Sequence, residues 1–289
     1  MLTLVPTPIG NLEDITLRTL KALKEADVIL CEDTRMSKKL LKMLLERGIL
    51  KSSKSPEFKS FHSHNQNAFV AALEPQFFEQ NVIYLSDAGM PCISDPGAKL
   101  VRYAIENEIM FDILPGACAL NVAFCGSGIE STPFFFAGFL PHKLQERREK
   151  IAQLAHLKIN EPYSVICYES PHRILNTLDD IASLLPQTPL VLLKDLTKLH
   201  QRRYFGTALE LRPKLEGHNL NGEWVVILDF SQKHLVENPI LSYHEALMLD
   251  IPPKVKAKIL SKMNKKTIKE CYEEIIRADV DSVDSEGQK

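Results

Sequence analysis

Short apolar runs rich in β-branched residues alternate along the chain with stretches of helical period, and each run closes in Gly, Pro, Asp or Ser. Leu2 to Val5 reads as a strand, followed by a Pro/Gly loop and a helix with Leu17, Leu20 and Leu23 on one face. Asp27 to Cys31 reads as a second strand, leading to a helix that Ser37 would cap, that Leu40, Leu41, Leu44 and Leu45 stripe, and that Gly48 stops. Asn81 to Ser86 and Met110 to Leu114 are too uniformly apolar for half-exposed strands and suit a sheet covered on both faces. The first part is therefore expected to be a doubly wound α/β unit.

A second series begins beyond Pro115-Gly116, with strand-like runs at Phe134 to Phe139, Tyr163 to Tyr168, Leu190 to Leu193 and Trp224 to Leu228. Helical stretches at Gln145 to His156 and Arg173 to Leu185 separate the first three of them, whereas Arg202 to Thr207 looks like a hairpin arm, so this part is expected to be mixed α/β. After Ser231 only helical patterns remain: one capped by Ser242, one opened by Pro252-Pro253, one over Lys265 to Arg277, and then a polar tail from Asp279. The expected organisation is an N-terminal α/β domain over 1–115, a mixed α/β domain over 116–232, and a helical tail over 233–289.

Composition narrows the classes. The 289 residues are 45% hydrophobic and 25% charged, which is ordinary globular usage. Lys and Arg total 35 against 37 Asp and Glu, a net charge of -2, so a polyanionic partner would have to be met by a local patch. Runs such as Pro133 to Leu140 fall far short of the roughly 18 apolar residues of a membrane span, and Met1 to Pro6 lacks the basic and apolar regions of a secretion signal, which points to a cytoplasmic protein without a membrane partner. The six cysteines form no C-x-x-C pair and read as reduced core thiols, and His62 and His64 have no acid or thiol at ligand spacing, so no metal is expected.

No phosphate loop, nucleophile elbow or G-x-G-x-x-G fingerprint is present, which disfavours a nucleotide kinase, a serine hydrolase and an ordinary Rossmann enzyme. The first strand ends instead in Pro6-Thr7-Pro8-Ile9-Gly10, and the run at 81–86 ends in Asp87-Ala88-Gly89-Met90-Pro91-Cys92-Ile93-Ser94-Asp95-Pro96-Gly97. Small and φ-restricted residues keep the latter loop compact and let backbone groups approach a ligand, with Asp87 placed to accept from hydroxyls or an amine. A rigid strand-to-helix turn with Asp95 as cap would use the same residues.

Taken with Cys31-Glu32-Asp33-Thr34-Arg35, Leu114-Pro115-Gly116-Ala117, Gly138-Phe139-Leu140-Pro141 and Tyr168-Glu169-Ser170-Pro171-His172-Arg173, these segments closely resemble the 16S rRNA (cytidine-2'-O)-methyltransferases of the tetrapyrrole methylase superfamily. The likeness runs in order from residue 2 to about Leu228, and the tail is similar to the small helix-turn-helix module that many members append. It implies a two-domain, tetrapyrrole-methylase-like class III methyltransferase fold. It also implies S-adenosyl-L-methionine in the cleft, 16S rRNA of the small ribosomal subunit as substrate, and a homodimer. By that likeness the cofactor lies against Pro8, Asp87, Ala88, Gly89, Met90, Ala117, Cys118, Ala119, Tyr168, Glu169, Leu196 and Glu223. The family's His-Asp-His-Asn-Glu stands here as His62-Ser63-His64-Asn65-Gln66, and its Arg-Glu-Leu-Thr-Lys as Lys194-Asp195-Leu196-Thr197-Lys198, so two acids are lost and one is shortened.

Methyl transfer from a sulfonium is an in-line displacement whose main demand is to hold the nucleophile about 3 to 3.5 Å from the methyl carbon. A ribose hydroxyl is a poor nucleophile near neutral pH, and a group that takes its proton helps. Glu169, Asp95, His172 and Lys194 are the candidates, although Glu169 stands four residues before Arg173, where a structural ion pair would serve as well. Asp33, Arg35, Arg147, Arg148, His172 and Arg173 are the candidate substrate-binding residues, and Lys254, Lys256, Lys258, Lys262, Lys265, Lys266 and Lys269 make the tail the strongest basic patch. The rival readings are a tetrapyrrole C-methyltransferase on the same fold and a non-catalytic RNA-binding assembly factor.

Overall fold

A computed structural model describes residues 1–130, 133–157, 159, 161–231, 246–247, 249, 251–264 and 266–276. Its contacts form two compact units, Met1–Gln232 and Lys233–Lys289.

In the first unit one sheet is built from β1 (Leu2–Val5), β2 (Val28–Cys31), β3 (Glu57–Ser60), β4 (Val82–Leu85) and β5 (Phe111–Ile113), in the order β3-β2-β4-β1-β5. Every pairing in it is parallel. Alternate side chains of β1, β2 and β4 enter two different cores. Leu2, Leu4, Val28, Leu30, Val82 and Tyr84 pack with Leu100 and Ala104 of helix α4 (Gly97–Glu106). Val5, Ile29, Cys31, Ile83 and Leu85 pack with Leu23 of α1 (Leu17–Glu25) and Leu44 of α2 (Thr34–Glu46). Burial on both faces is why these strands read as continuous apolar runs.

Two local expectations are corrected, and one edge strand is added. Asp33, not Ser37, caps α2 by accepting from the Arg35 amide, and Ser37 lies buried inside the helix. Leu17 is 85% exposed, because Thr16 starts α1 at Leu17 and leaves that first residue outside the apolar stripe. The edge strand β3, Glu-Phe-Lys-Ser, has no apolar run to announce it. The short helix α3 spans Gln66–Ala71.

The second sheet comprises β6 (Phe134–Phe139), β7 (Ser164–Glu169), β8 (Pro189–Lys194), β9 (Arg202–Thr207) and β10 (Trp224–Asp229), ordered β6-β7-β10-β8-β9. Only β6 and β7 run parallel, and their register shifts between Phe136 and Gly138, where Gly138 takes φ +66. β8 and β9 pair antiparallel, so Arg202 to Thr207 is a hairpin arm. One face is covered by α6 (Leu144–Ala155), α7 (Ile174–Leu184) and α8 (Ala208–Leu215). The other face, with Ile166, Val191, Leu193, Val225 and Ile227, packs on α5 (Ala119–Cys125) and on Ile9 from the loop after β1. That cluster joins the two sheets.

In the second unit α9 (Pro253–Met263) begins where Pro252-Pro253 predicts, and residues 268–276 are helical. Ala246, Ala257, Leu260, Cys271 and Ile275 form its small core. The expected cap at Ser242 and the polar tail from Asp279 lie outside the described residues. Among the described residues no helix is long and apolar enough to cross a membrane.

Candidate functional site

Because the first sheet is wholly parallel, the carboxyl ends of its strands open at one edge, the usual place for a ligand in such a sheet. The segments after β1 and β4 are tied there by a two-way bridge, Thr7 and Gly89 each donating an amide to the other's carbonyl at 3.1 Å. Gly89 has φ +81, and a Cβ would stand 3.1 Å from Ile9, so a side chain there would be strained on both counts. Beyond it Cys92 and Ser94 both hold positive φ, 68 and 69, and Asp95 Oδ1 fixes the turn by accepting from the amides of Cys92 at 2.9 Å and Gly97 at 2.8 Å. Two strained non-glycine residues in one loop mark a backbone that its surroundings over-determine.

These segments face the ends of β7 and β10 across a cavity of about 420 Å³. Its wall includes Ile9, Glu32, Asp87 to Met90, Ile93 to Asp95, Cys118, Ala119, Phe139, Tyr168 to Pro171 and Gly222 to Val225. Five of these residues are acids, Glu32, Asp87, Asp95, Glu169 and Glu223, and none is Lys or Arg.

The acids differ in what they touch. Glu169 is buried and accepts at 2.6 Å from Arg173 Nη2, from Thr177 Oγ1 and from the Ser170 amide. With three donors on its two oxygens, one of them the Arg173 guanidinium, it makes the structural ion pair that its four-residue spacing to Arg173 allowed. Glu223 lies 3.0 Å from Lys198 Nζ, which also bonds Asp195. Asp87 is exposed, accepts weakly from the Asp33 amide at 3.3 Å, and is shifted upward by burial and then by Asp33 and Asp95. Asp95 is also raised, chiefly by burial. Glu32, at the end of β2, is pushed up to about 7 by burial and by the neighbouring Asp95 and Asp87. The sequence reading passed over it; an acid at the carboxyl end of a fully buried parallel strand was the available signal.

Of the residues expected to hold a cofactor, Asp87, Ala88, Gly89, Met90, Cys118, Ala119, Tyr168, Glu169 and Glu223 share this wall. Pro8 lines a separate, smaller cavity with Ser37, Lys39 and Met43, and Ala117 flanks Gly89 behind the wall. Leu196 is buried in the inter-sheet cluster rather than on the wall, because its turn packs under the loop after β1.

The expected substrate contacts need more correction. Arg147 is 3% exposed, with Nε 2.8 Å from Asp180 and Nη1 on the carbonyl of His142, so it is a core ion pair and not a nucleic-acid contact. It falls on the same face of α6 as Ile151 and Leu154. Arg173 is turned inward onto Glu169 and the Leu140 carbonyl. Arg148 reaches Ser183 Oγ at the surface. Lys194 is not on the cavity wall: its ammonium bonds the Asn219 carbonyl and lies 5.6 Å from the Trp224 ring centre, occupied as a structural cation. His172 is exposed, outside the wall. Asp33 and Arg35 grip each other, with the guanidinium at 2.7 to 3.0 Å holding Asp33 down to about 2. His62 Nδ1 accepts from the Asn65 amide as a local cap.

Residues 1–212 match the family described as Tetrapyrrole (Corrin/Porphyrin) Methylases. The chain is 47% identical over 282 residues to the ribosomal RNA small subunit methyltransferase I of Helicobacter pylori strain J99, covering 94% of this chain and 96% of that one. It is 40% identical over 277 residues to the protein of the same name from Campylobacter fetus subsp. fetus, covering 96% and 100%. Among solved structures it is similar to the uroporphyrin-III-C-methyltransferase of Thermus thermophilus, with a TM-score of 0.51, 19% identity and coverage of 78% of this chain and 93% of that one. It is likewise similar to a cobalt precorrin-4 methyltransferase, with a TM-score of 0.53, 16% identity and coverage of 80% and 95%. At those identities the structural likeness is one of fold.

Proposed function

The chain is a methyltransferase of the tetrapyrrole methylase family, in the branch of ribosomal RNA small subunit methyltransferase I, and on that premise we propose that it methylates the 2'-hydroxyl of a cytidine in the decoding region of 16S rRNA. Its methyl donor is S-adenosyl-L-methionine, which supplies an electrophilic methyl group on a sulfonium. The observation that carries this reading is the charge of the cavity: an acidic wall with no Lys or Arg, beside bare glycine backbone at Gly89 and Gly222.

Such a wall suits a cationic sulfonium with ribose hydroxyls and an adenine. Asp87 accepts from hydroxyls, the Ala88 to Met90 and Cys118-Ala119 backbones approach closely, and Ile9, Met90, Tyr168 and Val225 supply apolar surface for the base. The Tyr168 phenol, raised to about 12 by burial, stays a neutral donor. A porphyrinoid bearing several carboxylates would meet a wall of its own sign, whereas RNA can present one ribose and keep its phosphates outside. The division of the first unit at 115/116 belongs to the same reading, supported by a separate core for each sheet. So do a cytoplasmic location and a homodimer, the latter supported by exposed Met110 and Ile113 at the β5 edge.

Incubating the protein with labelled S-adenosylmethionine and either small subunits lacking the modification or a porphyrinogen tests the reading. Label on one ribose of the RNA, located by mass spectrometry, is the expected result. Label in the porphyrinogen alone, or RNA binding without any transfer, overturns it.

A further inference from the structure

Among the five acids of the cavity wall, three have their carboxylates engaged by the protein. Glu169 accepts from three donors, Glu223 is paired with Lys198, and Asp95 pins its own loop through two amides, whereas Asp87 is exposed and accepts only from the Asp33 amide at 3.3 Å. The Glu32 carboxylate makes no hydrogen bond or ion pair among the described residues, and it is half-buried. The Tyr84 hydroxyl is fully buried, and Asp95 and Glu32 are the charged groups that bear on it most. No cation pairs with Glu32 among the described residues: the guanidinium on its own segment, Arg35, is folded onto Asp33.

We infer that Glu32 is the catalytic base, taking the proton from the acceptor hydroxyl as the methyl group is transferred. This rests on the methyltransferase reading above. The hydroxyl proton goes to a carboxylate oxygen of Glu32 while a lone pair of the hydroxyl oxygen forms the new C–O bond to the methyl carbon. The C–S bond of the donor breaks with its electron pair remaining on sulfur, which becomes a neutral thioether. The proton on Glu32 then leaves to water through the mouth of the cavity. Burial favours the protonated form of Glu32, and the charged groups that bear on it, Asp95 from the loop after β4 and Asp87 at the end of β4, both add to that preference. A base held near neutrality in this way both accepts and releases a proton at physiological pH.

The test is a Glu32→Gln protein beside the wild type, assayed in single turnover against undermethylated small subunits from pH 5.5 to 9, with S-adenosylhomocysteine affinity measured by calorimetry on the same samples. A transfer rate lower by about 10²- to 10⁴-fold and stripped of its rising limb near pH 7, with homocysteine-product affinity kept within about threefold, is the expected result. Glu32→Asp should restore part of the rate and the limb. An unchanged rate and limb in Glu32→Gln, or a loss of affinity as large as the loss of rate, overturns the assignment. If the wild type transfers no label to RNA, the function itself is wrong, and the two failures are told apart.

Discussion

Glu169 ends β7 with both carboxylate oxygens bonded, while Glu32 follows β2 with no bonded partner among the described residues, and the two would respond to pH in different ways. For Glu32 the folded protein holds its proton more tightly than the unfolded chain, so its contribution to stability is full below the ordinary value of 4.5 and is lost as pH rises through about 7. Glu32→Gln removes that loss. The variant should therefore melt with the wild type at pH 5 and above it at pH 8 in scanning calorimetry. The Arg147–Asp180 pair makes the opposite case, since both side chains are at most 5% exposed. Arg147→Ala strands a buried carboxylate and should cost about 3–5 kcal/mol in urea unfolding. Weaker binding of RNA by that variant, if seen, should then follow the folded fraction and not the salt concentration.

At the scale of elements, one close contact joins the loop after β1 to the turn after β8. A Cβ on Gly10 would lie 2.8 Å from the Leu196 carbonyl, and Asp195 and Thr197 already hold positive φ of 52 and 64. Backbone on that side cannot yield cheaply. Gly10→Ala should destabilise by about 1–3 kcal/mol and weaken S-adenosylhomocysteine binding in parallel, both read by thermal shift with and without the ligand. The strands on either side of this contact were legible because burial on both faces writes an unbroken apolar run, and the wall from Asp87 to Met90 was legible from small and φ-restricted residues. β3 was not, because an edge strand with a polar face carries no such run. Ser37 misled because Asp33, four residues earlier, offers a carboxylate to the same helix end. Arg147 misled because residue type was weighed over position: it stands one turn before Ile151 and two before Leu154, which places it on the buried stripe. Glu32 was hidden by its unremarkable spacing, since its character comes from burial in the fold and from Asp95 and Asp87, more than fifty residues away in sequence.

For the whole molecule, a net charge of -2 coexists with two strongly polarised regions, an acidic cavity and a basic helix. Lys254, Lys258 and Lys262 repeat every four residues along α9, all exposed, and no ion pair engages them among the described residues. Replacing the three with Gln should lower the slope of log affinity against log salt by up to about 2 for small-subunit RNA, at roughly 0.7 per lost phosphate contact on single strands, in filter binding. An unchanged slope would place the phosphate contacts elsewhere. The cavity also draws its wall from Ile9 to Val225, so no early part of the chain contains it. During synthesis at roughly 5–20 residues per second, about 10–40 s separate the emergence of the first wall residue from that of the last. Until then the nascent chain has no assembled acidic wall to attract a sulfonium, so the enzyme becomes able to modify ribosomal RNA only after a ribosome has carried its synthesis past Val225.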